Sequence, residues 1–195
     1  MEAVADCLVA CALKQESAAL KQHLGPICQH LVTGLGAKRT RRSLESYFSR
    51  NSPRLFVFTG TAGQLDPKLK MGDVVLPEAW GLRDGRRYPA DSGLIERLRD
   101  HGWEVSDLGL TVKTPVIRKQ AREDLHRLEG ASICDLECAI ALEVAESHGI
   151  AGLAPKVISD TAESGFLAFW SEFDKNMLRL ADYLKMLIQL LDPPP

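Results

Sequence analysis

The chain has 195 residues, 45% of them hydrophobic, and 24 Lys and Arg against 26 Asp and Glu give a formal net charge of −2. This length favours one compact α/β unit with a sizeable core, and the hydrophobic content excludes a disordered chain. The near-balanced charge offers no electrostatic surface for nucleic acid or an anionic membrane.

Short apolar and β-branched runs alternate with segments whose apolar residues recur every three or four positions. The runs predict strands at residues 7–13, 27–33, 55–59, 73–78, 104–112, 132–136 and 153–159. The spaced patterns predict helices at residues 37–50, 93–101, 118–128 and 137–148, and a last helix that ends before the prolines at 193–195. We therefore expect a mixed sheet with helices on both faces, in one domain over residues 1–192.

The last helix carries the clearest apolar stripe of the chain. Its members are Phe169, Phe173, Met177, Leu180, Leu184, Leu187, Ile188 and Leu191. Such a stripe most often packs into the core, and the alternatives are a subunit interface or a lid over an active site. Phe166 and Trp170, at the start of this helix, are the residues we expect to have a second role if either alternative holds.

Acidic residues follow three of the predicted strands, at the strand ends where α/β sheets bind ligands. They are Glu16, Glu137 and Asp160, and they come from distant parts of the chain. Taken singly, each is also what the first turn or the cap of a helix contains. Together, they predict one site at which carboxylates carry out acid and base chemistry.

Other chemistries find little support in the sequence. The glycines at residues 33–36 precede a helix and a basic stretch, but neither the Walker pattern nor the dinucleotide fingerprint is completed. The five histidines are scattered without zinc spacing, and no Gly-x-Ser-x-Gly elbow occurs. We read the five cysteines as small buried hydrophobic residues, and we expect no metal and no cofactor.

The acidic start of the chain carries no base before its first short apolar run, so it predicts neither a secretory signal nor a membrane span. An odd number of scattered cysteines fits a reducing compartment. We therefore expect a cytoplasmic protein.

Five segments, in order, resemble the nucleoside phosphorylase and nucleosidase superfamily, closest to the branch of methylthioadenosine/S-adenosylhomocysteine and hopanoid-associated nucleosidases. They are residues 12–16 (Ala-Leu-Lys-Gln-Glu), 33–36 (Thr-Gly-Leu-Gly), 58–75 (beginning Phe-Thr-Gly-Thr-Ala-Gly), 135–139 (Asp-Leu-Glu-Cys-Ala) and 157–162 (Val-Ile-Ser-Asp-Thr-Ala). Each motif is weak alone, and the ordered set indicates a common fold. The resemblance implies a three-layer α/β/α fold around a mixed, partly barrel-like sheet.

The resemblance also implies cleavage of the N-glycosidic bond of a purine nucleoside. Asp160 would protonate the leaving purine, Glu16 would activate water, and Glu137 would bind the ribose hydroxyls. A positioned general acid supplies roughly 10²- to 10⁴-fold in rate. The further substrate-binding residues implied are Thr61, Ala62, Gly63, Thr114, Val116, Leu136 and Ser159.

The expected substrate is a 5′-modified adenosine, of the methylthioadenosine, S-adenosylhomocysteine or adenosylhopane type, with adenine as product. Family members usually stack an aromatic residue on the base where this chain has residues 113–116 (Lys-Thr-Pro-Val), so the base preference is open. Members commonly form homodimers or larger oligomers, which we expect here as well.

Two alternatives remain to hydrolysis. A phosphorylase of this fold uses arginines around a phosphate and releases ribose 1-phosphate, but here no arginine occurs before Arg39 and none directly precedes residues 59–63. A carboxylate at Glu16 would also repel phosphate. The second alternative is a non-catalytic nucleoside-binding protein of the same fold.

Overall fold

The structure, a computed structural model, describes residues 6–163 and 170–191. The strands in these ranges are β1 (Cys7–Cys11), β2 (Gln29–Val32), β3 (Leu55–Thr59), β4 (Thr61–Gln64), β5 (Val74–Val75), β6 (Pro77–Leu82), β7 (Arg87–Pro89), β8 (Ser106–Thr111), β9 (Ile133–Asp135), β10 (Gly152–Leu153) and β11 (Lys156–Asp160). The helices are α1 (Lys14–Leu24), α2 (Ala37–Phe48), α3 (Ser92–Asp100), α4 (Lys119–Glu129), α5 (Cys138–Ser147) and α6 (Phe173–Leu191).

The strands form two sheets, and the chain passes from one sheet to the other at two short turns. The smaller sheet has the order β10-β3-β1-β2 and is parallel throughout. The larger sheet has the order β5-β11-β4-β9-β8-β6-β7, contains parallel and antiparallel pairs, and curls into a half-barrel. Gly60 alone separates β3 from β4, and residues 154–155 separate β10 from β11.

The two crossings from one sheet to the other lie side by side. The Val157 amide donates to the Gly60 carbonyl at 3.1 Å, and the Thr59 hydroxyl donates to the Pro155 carbonyl at 2.8 Å. Two strand ends and two strand starts therefore meet at one place, and a cluster of polar groups can form there.

Helices cover both faces of the smaller sheet, as the alternation of side chains in its strands requires. In β1 and β3, Cys7, Val9, Leu55 and Val57 belong to one buried cluster, with residues of α1, α3 and α6. Leu8, Ala10, Phe56 and Phe58 belong to a second cluster, with residues of α2 and α5. The predicted three-layer α/β/α architecture is confirmed.

The element boundaries differ from the sequence prediction mostly at short strands. The predicted strand at 153–159 is split into β10 and β11 by Pro155, and the predicted strand at 73–78 is split into β5 and the start of β6. The sequence analysis missed β4 and β7, since neither has an apolar run of its own. It also missed α1, whose buried face holds only Glu16, Ser17, Leu20 and Leu24.

The apolar stripe of α6 packs into the core, as the commonest interpretation of such a stripe predicts. The seven members of the stripe from Phe173 to Leu191 are all buried. Trp170 is 55% exposed, and Phe166 and Phe169 lie outside the described residues. No helix within the described residues is long and apolar enough to cross a membrane.

The packing of α6 predicts the effect of truncating its stripe. Leu184 is fully buried, whereas Met186, two residues on, is 55% exposed. Leu184→Ala should lower the free energy of unfolding by about 2–5 kcal/mol, because it removes buried methyl groups and leaves a cavity. Denaturant titration of both variants measures this, and Met186→Ala is the control that should change stability little. Equal losses in the two variants would contradict the assigned packing.

Candidate active site

Glu16 lies buried at the junction of the two sheets. It is in the first turn of α1, directly after β1, and only 3% of it is exposed. One carboxylate oxygen accepts hydrogen bonds from the amide and the hydroxyl of Thr61, at 2.9 and 3.0 Å. The other oxygen accepts the amide of Leu13 at 3.1 Å. These donors hold the carboxylate in one orientation.

Gly60 allows this close approach. It has a φ of +129°, and a Cβ atom at this position would lie 2.7 Å from Oε1 of Glu16. Real Cβ atoms essentially never come so close, so the turn between β3 and β4 needs glycine both for its backbone conformation and for the space it leaves.

Asp160 lies on the same face of β4 as Glu16. It ends β11 and pairs with Gly63, and its Oδ2 lies 3.5 Å from the position that a Cβ atom of Gly63 would occupy. Thr61, which binds Glu16 through its side chain, is two residues earlier in the strand. Residues two apart share a face and are separated by roughly 7 Å of strand rise. The two carboxylates therefore flank one short stretch of strand.

Glu137 reaches the same region from the end of β9. It is 4% exposed, stands at the N-cap of α5, and its Oε1 accepts the amide of Gly36 at 2.7 Å. Burial, with smaller help from the charge of Asp135, raises the pKa of Glu137 to about 7. Lys156 and the Gly36 amide oppose this rise, and Glu16 adds slightly to it. The charge of Glu16 thus reaches Glu137, which places the two side chains in the same region.

A buried lysine, Lys156, balances these negative charges. It is 2% exposed, and its Nζ lies 3.4 Å from Oδ2 of Asp135 and donates to the Thr59 carbonyl at 3.3 Å. Burial acts to lower the pKa of Lys156, but the acidic groups around it outweigh that effect and raise the pKa above its ordinary value. Those groups are Cys138, Asp135, Glu16 and Glu137.

Asp135 and Arg122 take part in the site although neither was predicted to act in it. Asp135 lies two residues before Glu137. It accepts a hydrogen bond from the Thr111 hydroxyl at 2.7 Å and forms an ion pair with Lys156. Arg122, on α4, forms an ion pair with Asp160. Nothing in the sequence distinguishes Arg122 from the exposed basic residues of α4, since only the fold turns it inward.

Most of the predicted substrate-binding residues come together around β4. Thr61, Ala62 and Gly63 form the strand, and the Ser159 hydroxyl lies 3.1 Å from Oδ1 of Asp160 and 3.3 Å from the carbonyl oxygen of Ala62. Val116 is linked to the group through its carbonyl, which accepts Nε of Arg122 at 2.8 Å.

Two predicted substrate-binding residues lie at the margin of this arrangement. Leu136 is half-buried and packs against the apolar cluster around β8 and β9. Thr114 is exposed in the loop between β8 and α4, and within residues 6–163 and 170–191 no described contact joins it to the carboxylates.

Two cavities in the described part of the chain are lined by residues other than Glu16, Glu137 and Asp160. One, of about 510 Å³, lies beyond Arg122 and is lined by Gln64, Lys70, Lys119 and Thr161 among others. The other, of about 370 Å³, lies between α5 and the segment after β7. The candidate site is better marked by the acidic groups than by either cavity, since Glu16 and Asp160 flank β4 and the charges of Glu16 and Glu137 both act on Lys156.

Three comparisons bear on the identity of this arrangement. A family model described as the phosphorylase superfamily matches residues 25–189. No curated protein sequence matches the chain. Solved structures similar to it include a 5′-methylthioadenosine/S-adenosylhomocysteine nucleosidase from Helicobacter pylori with butyl-thio-DADMe-Immucillin-A, at a TM-score of 0.80 and 15% identity over 95% of this chain and 98% of that one.

Two further structures are similar over nearly the whole chain. A putative nucleosidase of the same kind from Borrelia burgdorferi, bound to adenine, has a TM-score of 0.81 and 18% identity over 95% of this chain and 100% of that one. A futalosine hydrolase from Helicobacter pylori has a TM-score of 0.80 and 16% identity over 95% and 99%. At these identities the likeness concerns the fold.

The raised pKa of Glu137 predicts how stability depends on pH. Between its ordinary value of 4.5 and about 7, the folded protein holds a proton that the unfolded chain has released. The free energy of unfolding should therefore fall as pH rises through this window, by at most about 3 kcal/mol. Glu137→Gln removes this contribution, so the free energy of unfolding of the variant should change less than that of the wild type over the same pH range.

Denaturant titrations at several pH values measure the difference. Glu146→Gln, an exposed position on the same helix, is the matched control and should follow the wild type. If Glu137→Gln keeps the wild-type pH dependence, the carboxyl of Glu137 is not the group responsible.

Proposed function

The chain belongs to the phosphorylase superfamily, and from that premise and the geometry of its buried acids we propose that it hydrolyses the N-glycosidic bond of a purine nucleoside. The observation that carries this proposal is the position of Glu16, held by three hydrogen bonds on the strand face that it shares with Asp160. Glu16, which would accept a proton from water, and Asp160, which would contact the leaving purine, would then lie on either side of one sugar.

Water, rather than phosphate, is the nucleophile in this proposal. Two backbone amides and a hydroxyl converge on the Glu16 carboxylate, and such a set of donors at a helix start and a strand turn is suited to an anion. The chain's own carboxylate takes up these donors. A phosphate dianion would lose them and would meet a buried negative charge.

Each side chain has one part in the proposed reaction. Glu16 accepts a proton from the attacking water, and a carboxylate oxygen of Glu137 accepts the ribose hydroxyls. As the bond to the base breaks, the sugar gains positive charge, which the buried carboxylates stabilise. The departing purine takes a proton from Asp160, and the products are the free sugar and the free base.

Asp160 has to change its protonation state in order to act as the general acid. Its ion pair with Arg122 requires the carboxylate, whereas proton donation requires the neutral acid. In the proposal Asp160 therefore takes up a proton from solvent before the bond breaks, and the Ser159 hydroxyl keeps its side chain oriented.

The finer features of the substrate are supported by likeness alone. A 5′-modified ribose, of the methylthio, homocysteinyl or hopanyl type, follows from the resemblance of the motifs. The similar solved structures include nucleosidases named for methylthioadenosine and S-adenosylhomocysteine. The cytoplasmic location and the homo-oligomeric state stay predictions.

A product assay tests the proposed reaction. Incubation with a panel of 5′-modified purine nucleosides should release the free base and the free sugar at a rate that added phosphate does not change, because no phosphate takes part. Chromatography of the products measures both. Ribose 1-phosphate, formed only when phosphate is present, would instead establish a phosphorylase, and binding without turnover of any nucleoside would indicate a non-catalytic protein.

Asp160→Asn tests the role of the acid. It should lower kcat by roughly 10²- to 10⁴-fold, because an amide cannot donate the proton that the leaving base needs. Asp107→Asn, at an exposed strand position, is the matched control and should leave kcat unchanged. Full activity of Asp160→Asn in the steady-state assay would rule out the assigned role.

A further inference from the structure

The guanidinium of Arg122 lies among Asp160, the predicted acid, and two of the predicted substrate-binding residues. It is paired with Asp160, it donates to the carbonyl of Val116, and its Nη1 lies 3.4 Å from the position that a Cβ atom of Gly63 would occupy. Only 5% of Arg122 is exposed. A buried guanidinium is therefore in direct contact with the side chain that the proposed function assigns to the purine.

The hydrogen bonds that Arg122 makes to described residues fix its orientation, and they use all but one of its N–H groups. Nε binds the Val116 carbonyl, and Nη1 binds the carbonyls of Gln64 and Asp160 at 3.1 and 3.2 Å. Nη2 binds the Asp160 carboxylate. A guanidinium has five N–H groups, so the bonds to described residues use four of them. The fifth, on Nη2, is next to the carboxylate that is proposed to serve the purine.

The two common classes of purine differ at the edge that this pair would meet. A 6-oxopurine presents two neighbouring acceptors, N7 and O6, which arginine binds well. A 6-aminopurine presents the acceptor N7 beside the N6 amino donor, which suits the amide of Asn or Gln instead. An amino group placed against the remaining N–H of Arg122 would set donor against donor.

We propose that Arg122 is a specificity-determining residue that selects a nucleoside of a 6-oxopurine. Nη2 of Arg122 donates a hydrogen bond to O6, while Asp160 donates its proton to N7. The proposal rests on the proposed function for the location of the base, and it replaces the adenine that the resemblance of the motifs implies with a 6-oxopurine. It requires no movement of Arg122, since the group that reads O6 is the one already bound to Asp160.

A matched substrate pair tests it. Methylthioinosine and methylthioadenosine differ only at position 6 of the base, so the ratio of their kcat/KM values reports recognition of that position. The wild type should favour methylthioinosine by at least about tenfold, the size of one good arginine contact to a base. Equal use of the two, or a preference for methylthioadenosine, would overturn the proposal.

Two variants assign the preference to Arg122. Arg122→Gln places an amide beside Asp160 and should reduce or invert the ratio, whereas loss of a merely structural contact would lower both kcat/KM values together. Arg127→Gln, an exposed position on the same helix, is the control and should keep the wild-type ratio. An unchanged ratio in a folded Arg122→Gln would overturn the assignment. If that variant does not fold, Arg122→Lys keeps the charge without the fork and should still narrow the ratio.

A binding measurement separates this inference from the proposed function. Calorimetric titration of the wild type with hypoxanthine and with adenine should show tighter binding of hypoxanthine, whether or not any nucleoside is cleaved. Tighter hypoxanthine binding without turnover would overturn the proposed hydrolysis and support the role of Arg122. Tighter binding of adenine, equal binding, or no binding of either base would overturn the role of Arg122.

Discussion

The contact between the Glu16 carboxylate and the turn at Gly60 is the constraint on which the site depends. It requires α1 to start immediately after β1, a turn of one residue between β3 and β4, and a glycine in that turn. The same turn moves the chain from the parallel sheet into the half-barrel. The bend that shapes the fold is therefore also the bend that holds the acid, so the two cannot vary independently.

Burying so many charges in one region is costly, and the structure offsets the cost with fixed partners. Lys156 is paired with Asp135, Arg122 with Asp160, and the lone carboxylates of Glu16 and Glu137 take backbone amides. Such partners compensate buried ions only when their geometry is well defined. Each of the strands β4, β9 and β11 contributes to at least one of these contacts, so the electrostatics are tied to the order of the strands.

The sequence was informative where a segment carries its own signal. The stripe of α6 and the acids at strand ends are visible in the residues themselves, and the ordered motifs predict the layered fold. The strand β4 is not visible, because Thr-Ala-Gly-Gln becomes a strand only when β11 and β9 pair with it on either side. Arg122 was missed for a similar reason, because its inward orientation depends on where α4 packs, which no local pattern encodes.

The hydrogen bond between Glu137 and the Gly36 amide links two segments that lie 101 residues apart in the chain. It uses one oxygen of the carboxylate, and among residues 6–163 and 170–191 no hydrogen bond engages the other, which the proposed function assigns to the ribose. A sugar held by that second oxygen would be anchored, through a single side chain, to Gly36, the N-cap residue of α2. Lengthening or shortening the turn before α2 would then alter sugar affinity while leaving Glu16 and Asp160 in place, so sugar binding and bond breaking depend on separate segments of the chain.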